Sequence, residues 1–341
     1  MILHNRIDRK ILKEQLENDQ VERLTMSFYK YSHINNPDEL RDKLYLSWES
    51  LGVLGRIYLS KEGVNAQISL PKESLDDFQK HLNSIDFLKN IRLNIAIEDN
   101  GKSFFKLKIK VKDKIVADGL DDRSFDVTDI GTHLSAEDFN KMTEDPNTIV
   151  VDMRNHYESE VGHFENAYLP DADTFRDALP ITKEVLAPYR DRNIIMYCTG
   201  GIRCEKASAY FKHLGFENIH QLEGGIIKYA RDVQSKGLKN KFIGKNFVFD
   251  ERLGEKVSGE VISKCHQCGA PCDTHTNCIN DACHLLFIQC AGCANKMDKC
   301  CSSQCQDYIK LPEEEKNERR KIFTHKRNIY RKGRASHLKQ Y

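Results

Sequence analysis

The sequence predicts a multidomain chain of mixed class, with an N-terminal α+β domain, a central α/β domain built on a parallel sheet and a C-terminal cysteine-rich domain. Three observations carry this. Residues 21–120 give strand and helix signals in the order β-α-β-β-α-β. From residue 148 apolar strands alternate with helices, the pattern of a parallel sheet. Ten of the twelve cysteines then crowd between Cys265 and Cys305, where apolar periodicity fades.

At 341 residues, 40% apolar and 30% charged, the chain is too long for one ordinary core and reads as globular. The opening MILHNRIDRKILKEQL lacks the uninterrupted apolar run of a signal peptide. No stretch approaches the ~18 apolar residues of a membrane span. The expected compartment is therefore the reducing cytoplasm, where cysteines serve as metal ligands or catalysts rather than disulfides.

Residues 1–20 read as a charged helix. RLTMSFYKYSHI, from Arg23, is strand-like, and Pro37 opens a helix that turns Leu40, Leu44 and Leu51 inward. GRIYLS and VNAQISL are strands around the turn Lys61-Glu62-Gly63. SLDDFQKHLNSI is a helix with Leu75, Phe78 and Leu82 on one face. RLNIAIE alternates as a strand, and FFKLKIKVKDKIV alternates apolar residues with lysine, as a strand with one solvated face does. This order is that of a ferredoxin-like fold, spanning 21–120. The α/β domain, 123–240, has strands TIVVDMR, NIIMYC and NIHQL and helices CEKASAYFKHL and IIKYARDVQS. A cysteine-rich domain follows over 245–310 and a basic tail over 311–341.

NIIMYC delivers Cys198 to the carboxyl end of a strand, the place where parallel α/β sheets carry their sites. Thr199, Gly200, Gly201 and Ile202 separate it from Arg203. The glycines let the backbone bend so that successive N–H groups point inward and cradle an anion. The following helix adds the partial positive charge of its N-terminus, and Arg203 closes the ring with fixed donors. Cys198 over such a cup is a stabilised thiolate and the candidate catalytic residue, with Arg203. Cysteine-dependent phosphatases have five residues between Cys and Arg; the four here make a smaller ring, better suited to a persulfide sulfur. Cys204 is a candidate redox partner that resolves a persulfide on Cys198 into a disulfide; the other reading is a small residue packed against the sheet.

CTGGIRC resembles the active loop of the rhodanese family. VVDMRNHYESEVGHFENA (Val150 to Ala167) and LEGGI (Leu222 to Ile226) are similar to two further segments of that family, in order. The resemblance makes the central domain rhodanese-like and makes Asp152 and Arg154 structural support, an ion pair rather than reacting groups, with His163 also structural. IYLSKEGVNAQ, KIKVKDKIVADGL, CTGGIRCEKASAY and CHQCGAPCDTHTNCIND in one chain extend it to nearly the whole length. Together they resemble the bacterial rhodanese-domain tRNA uridine hydroxylases, whose N-terminal domain is acylphosphatase-like. That resemblance implies oxygen-dependent formation of 5-hydroxyuridine at the wobble position of tRNA, with molecular oxygen as co-substrate and Cys198 as the persulfide-forming cysteine. The thiol loop alone reads as sulfur transfer. No flavin or nicotinamide motif is found, nor a 2-His-1-carboxylate pattern.

Cys265-x-x-Cys268 and Cys290-x-x-Cys293, separated by twenty-one residues, have near to the spacing of a four-thiolate zinc site. Cys272, Cys278, Cys283, Cys300, Cys301 and Cys305 are candidates for a second, with His266, His275 and His284 as spare ligands. Metal binding supplies the folding energy that so small an apolar core lacks. Disulfides, free thiols and an iron–sulfur cluster are the other readings. The last 26 residues hold ten Lys or Arg and one acid in a chain of net charge +1. Arg319, Arg320, Lys321, Lys326, Arg327, Arg331, Lys332 and Arg334 are the candidate RNA contacts, with Tyr330 and Tyr341 able to stack on bases; the other reading is a solvated helix. Three functions follow: a tRNA-modifying hydroxylase acting on the anticodon loop, a sulfurtransferase passing persulfide sulfur, or a non-catalytic zinc-stabilised RNA-binding module.

Overall fold

The computed structural model describes residues 7–121, 124–322 and 334–339. The chain divides into two compact units, one of Met1–Ile149, Ala187–Lys239 and Phe249–Arg252, the other of Val150–Leu186, Asn240–Val248 and Leu253–Tyr341.

In the first unit, strands β1 (Arg23–Tyr31), β2 (Leu54–Ser60), β3 (Gly63–Pro71), β4 (Asn94–Ile95) and β5 (Leu107–Val111) form one sheet in the order β4-β1-β3-β2-β5. The first four are the antiparallel ferredoxin-like sheet, and β5 joins β2 in parallel at the edge. Alternation along each strand turns Met26, Phe28, Ile57, Ala66, Ile68, Leu107 and Ile109 to one buried face. The helices Pro37–Ser50 and Leu75–Ser84 bring Leu44, Trp48, Phe78 and Leu82 into that core. Leu40, Leu51 and Leu75 pack at its margin. The rings of Phe28, Trp48 and Phe78 meet at 5.4–6.3 Å, so the sole tryptophan, which leucine spacing did not single out, anchors the core. Pro37 sits in the first turn of its helix, and Asn36 caps it by accepting from the Glu39 N–H at 3.2 Å.

RLNIAIE is a strand only at Asn94–Ile95. The Ala96 N–H still donates to the Thr25 carbonyl at 2.9 Å. Asp99 then accepts from the Thr25 hydroxyl and the Gly101 N–H, both at 2.9 Å, and turns the chain off the sheet edge.

The unit also holds most of a second sheet. Strands β6 (Thr132–Leu134), Ile219–Leu222 and Asn193–Tyr197 lie parallel, and the strand β7 (Thr148–Asp152) begins at the end of the unit's first segment. Too short to show a period, β6 and the helix Ala136–Met142 after it were not expected from the sequence. The helices Ile202–His213 and Gly225–Lys236 follow the two central strands.

Lys206, inside the first of these helices, has a fully buried side chain. Its ammonium lies 2.7 Å from Glu62 Oε2 and 3.5 Å from Asp118 Oδ2, over the Tyr31 ring. Glu62 also accepts from the Ile115 N–H at 2.7 Å, and Asp118 from Lys114 Nζ and the Leu120 N–H, both at 2.7 Å. One buried cation thus ties the helix beyond Cys198 to two carboxylates of the N-terminal domain.

In the second unit Arg154 forms a buried bidentate pair with Asp152, at 2.7–3.1 Å, and donates to the Gly162 carbonyl at 2.6 Å. His163 is half-buried with Nδ1 3.0 Å from the Phe164 carbonyl. The strands Gly162–Phe164, Phe242–Asn246 and Glu255–Lys256 form a small antiparallel sheet, and His275–Asn277 pairs with Leu286–Ile288. The helix Phe175–Leu186 buries Phe175, Leu179 and Leu186.

Removing a buried cation while its carboxylates remain costs about 3–5 kcal/mol. Lys206→Met is expected to destabilise the protein by that amount in urea unfolding. Adding Glu62→Gln and Asp118→Asn should restore most of the loss. A single variant as stable as wild type would show that the cluster holds nothing together.

Candidate active site and cysteine clusters

Cys198 follows directly on the strand Asn193–Tyr197 and has no exposed surface. Gly201 stands at φ +101°, where a side chain is strained, and caps the helix Ile202–His213. Its N–H donates to Cys198 Sγ at 3.1 Å. Arg203, largely buried, reaches back to Thr199 Oγ1 at 3.4 Å and lies over the Phe249 ring. Burial alone would raise the Cys198 thiol. The Cys204 thiol, the Arg203 charge and the amides of Arg203 and Cys204 outweigh burial and bring its pKa down from 9.0 to about 6. The cup therefore favours sulfur as an anion at neutral pH. Thr199 and Gly200 line the partly open side of the loop, whereas Cys204 is fully buried behind it.

A second glycine turn holds the loop from beneath. Gly224 and Gly225 both take left-handed φ, at +68° and +65°. The N–H groups of Ile226 and Ile227 donate to the carbonyls of Cys198 and Thr199 at 3.0 and 3.2 Å. A Cβ on Gly225 would lie 2.4 Å from the Cys198 carbonyl oxygen and 2.7 Å from that of Thr199. Only a residue without a side chain allows this approach, which gives the LEGGI segment its physical reason.

The N-terminal sheet supplies groups that sequence reasoning missed. Asn94 Nδ2 donates to the Gly200 carbonyl at 3.4 Å. Tyr29 stands so close to Gly201 that a Cβ there would meet its hydroxyl at 2.7 Å. That hydroxyl donates to Glu205 Oε1 at 3.0 Å, and Glu205 is also bonded by His133 at 3.1 Å and Gln221 at 3.3 Å. Burial, then the negative charges of Glu205 and Cys198, pushes Tyr29 well above its ordinary range. Burial raises Glu205, but its bonds from His133, Tyr29 and Gln221 prevail and hold it below the usual carboxylate range. Tyr29 and Glu205 are 176 positions apart, so no local spacing could pair them.

None of the ten remaining cysteines is in a disulfide. Cys265, Cys268, Cys290 and Cys293 form one cluster, and Cys278, Cys283, Cys301 and Cys305 a second, with all sulfurs of each within 4.8 Å of one another. Cys268–Cys290, Cys283–Cys301 and Cys301–Cys305 are each 3.7 Å apart. Four metal–sulfur bonds of about 2.3 Å in a tetrahedron place sulfurs about 3.8 Å apart; a disulfide would bring them to about 2.05 Å. Amides stabilise the sulfurs further: the Cys290 N–H donates to Cys265 Sγ at 3.3 Å and the Cys301 N–H to Cys278 Sγ at 3.4 Å. Of the six candidates for the second cluster, Cys272 and Cys300 stand outside it, and burial raises both thiols. His266 is bonded to Glu160 at 2.7 Å and to the Ile288 N–H at 3.3 Å, and His275 packs edge-on to Phe247, so both are engaged elsewhere. His284 takes left-handed backbone at φ +50° between Cys283 and Leu285 and belongs to neither cluster.

Among the candidate RNA contacts, Arg319 is exposed on the helix Glu313–Ile322, which also carries Arg320 and Lys321. Arg334 pairs with Asp171 and, at 3.4 Å, with Asp173. Lys326, Arg327, Tyr330, Arg331, Lys332 and Tyr341 lie outside the described residues.

A strand-end cysteine, a four-residue cup and an arginine on a parallel sheet define a rhodanese-type domain, here in one chain with a ferredoxin-like one. Residues 135–232 match the family described as "Rhodanese-like domain", 23–115 the "UPF0176 acylphosphatase like domain" and 243–306 "Rhodanase C-terminal". The chain is 57% identical over 94% of its length to a Leptospira interrogans protein named tRNA uridine(34) hydroxylase, covering 87% of it. It is 54% identical over 98% of its length to an Enterobacter sp. protein of the same name, covering 96% of that one. The rhodanese-like domain of an Anabaena protein, solved by NMR, is 20% identical over 34% of this chain and 80% of its own, with a TM-score of 0.28. The chain belongs to the family of the tRNA uridine(34) hydroxylases.

Gly225→Ala is expected to open the cup and raise the Cys198 thiol pKa from about 6, read as ultraviolet thiolate absorbance against the same variant carrying Cys198→Ser. Gly237→Ala is the control: its φ of +63° is also left-handed, but nothing lies within 4 Å. It should cost only the ~1–2 kcal/mol of left-handed strain and leave the thiol unaltered. An equal Cys198 pKa in the two variants would show that the close approach is not what shapes the cup.

Proposed function

We propose that the protein is a tRNA uridine(34) hydroxylase, an enzyme that places one oxygen atom from molecular oxygen on C5 of the wobble uridine. The observation that carries this reading is likeness at 54–57% identity over nearly the whole chain to proteins of that name, with the Cys198-to-Arg203 ring intact. In this reading Cys198 carries the reactive sulfur and Arg203 and the loop amides hold it as an anion. A persulfide extends that sulfur outward by one S–S bond, about 2.05 Å, which suits a thiol with no exposed surface of its own. Sulfur adding to C6 of the uracil ring would move the C5–C6 pair toward the C4 carbonyl oxygen and leave C5 electron-rich. In this reading the Cys204 thiol, which lowers the Cys198 pKa, would attack the inner sulfur of a Cys198 persulfide, forming a Cys198–Cys204 disulfide and releasing the outer sulfur as hydrosulfide.

The two four-cysteine clusters are read as structural zinc sites, Cys265, Cys268, Cys290 and Cys293 in one and Cys278, Cys283, Cys301 and Cys305 in the other. Their 3.7 Å sulfur spacings and the absence of disulfides support this. Zinc here would supply folding energy. Ala335 and Leu338 pack into the same core as the second cluster, so metal at that cluster would also support the packing of these two residues. No helix among the described residues is long and apolar enough to cross a membrane, and free cysteines throughout accord with a reducing cytoplasm. The basic residues Arg319 to Arg334 are offered as phosphate contacts to the tRNA.

The second reading, a sulfurtransferase, rests on the same lowered thiol and four-residue cup. The product separates the two. Purified protein, unmodified tRNA and labelled oxygen gas are expected to give a wobble uridine carrying one labelled oxygen in nucleoside mass spectrometry, and Cys198→Ser protein none. Thiolated uridine, or label arriving from water, would overturn the hydroxylase reading.

Elemental analysis of protein purified without chelator should give two zinc ions per chain. Cys283→Ser should lower this to one, with loss of stability in thermal unfolding. Two ions in that variant would remove Cys283 from the site.

A further inference from the structure

The ferredoxin-like sheet has a second face, opposite its core, and strand register orders that face into rows. One row runs Asn94, Ser27, Gln67, Arg56, Lys108 across β4, β1, β3, β2 and β5. The next runs Tyr29, Asn65, Tyr58, Lys110. Directly paired residues share a face, and the intervening row, Phe28, Ala66, Ile57, Ile109, is buried on the other side.

The two ends of these rows differ in character. At one end Asn94 bonds the Gly200 carbonyl and Tyr29 abuts Gly201, so the row ends on the Cys198 cup. At the other end Arg56, Lys108 and Lys110 are exposed, with Lys106 and Lys112 beside them. Among the described residues none of these five cations makes an ion pair. Burial, then the charges of Lys110, Lys106 and Arg56, pulls Lys108 below the ordinary lysine range, the mark of like charges crowded without a counter-ion. Asp250 and Glu251, the carboxylates that line one pocket with Arg56, Lys106 and Lys108, are already engaged by Arg252 and Lys13. Strands lie about 4.8 Å apart, so the three steps from Ser27 to Lys108 span roughly 14 Å, the reach of a few nucleotides of extended single strand.

We propose that this sheet face is the path of the single-stranded RNA flanking the target uridine, with Arg56, Lys108 and Lys110 on its phosphates and Ser27, Tyr29 and Asn94 at the point where the base meets the cup. The inference rests on the tRNA reading above. Three cations with no ion pair among the described residues call for a polyanion, and rows that begin at the Cys198 cup call for one continuous with the substrate. Tyr58, half-buried between Asn65 and Lys110, offers a ring on which a base can stack.

The test compares full-length wild type with Arg56→Ser/Lys108→Ser/Lys110→Ser. Lys43→Ser/Lys80→Ser/Lys89→Ser is a control of equal charge loss among lysines already paired with Glu39, Asp77 and Asp86. The probe is an anticodon stem-loop RNA, with Kd measured over a range of salt. Single-strand contacts each contribute about 0.7 to the slope of log Kd on log salt, so the sheet-face variant should lose about two units of slope and bind at least tenfold more weakly at low salt. Its loss in tRNA hydroxylation should fall on KM more than on kcat. The control should match wild type. A sheet-face variant with wild-type slope, in a preparation whose wild type binds and hydroxylates tRNA, overturns this inference and leaves the hydroxylase reading standing. Wild-type protein that binds no RNA overturns both.

Discussion

Two backbone hydrogen bonds hold the Cys198 loop in shape, from the N–H groups of Ile226 and Ile227 to the carbonyls of Cys198 and Thr199. They form only because Gly225 brings backbone against backbone where a Cβ would stand 2.4 Å from an oxygen. With the carbonyls of the loop taken up below, its amides are free to turn inward, and the Gly201 N–H reaches Cys198 Sγ. The thiol then meets donors on one side and burial on the other. Burial disfavours the anion, and the donors win because several of them act at short range without reorganising.

The cup is not held by its own sheet alone. The helix that supplies its N-terminal charge is tied through Lys206 to Glu62 and Asp118, which lie in the segments IYLSKEGVNAQ and KIKVKDKIVADGL. Those segments therefore have a physical task even though they touch no sulfur. Tyr29 and Glu205 add a buried polar contact nearer the loop, joined by His133 and Gln221. Such a network is stable only while every member keeps its partner, which makes the N-terminal domain part of the construction of the site.

What could be read from the sequence was what repeats or clusters locally. Alternation marked the strands Arg23–Tyr31 and Leu107–Val111, and the run NIIMYC ended where the cup begins. The spacing of Cys265, Cys268, Cys290 and Cys293 named one cluster directly, since each pair forms its own chelating turn. The second cluster draws Cys278 and Cys283 from around a hairpin strand and Cys301 and Cys305 from a helix entry, so six candidates could not be reduced to four without the fold. RLNIAIE alternates convincingly but pairs over two residues, because Asp99 turns the chain away. Lys206 and the Tyr29–Glu205 pair were invisible for a different reason: Lys206 meets its carboxylates, and Tyr29 meets Glu205, across more than eighty positions, where no periodicity reaches.

The central claim is that the folded cup, and not the thiol itself, makes Cys198 an anion at neutral pH. The most direct measurement is an ultraviolet titration of thiolate absorbance, taken as the difference between wild type and Cys198→Ser with the clustered cysteines metal-bound in both. Because the folded pKa is lowered, the thiolate should be present throughout the neutral range and be lost only as pH falls through about 6. In Arg203→Met, which lacks one of the stabilising charges, the midpoint should move upward. A wild-type midpoint near 9, unmoved by that substitution, would contradict the account.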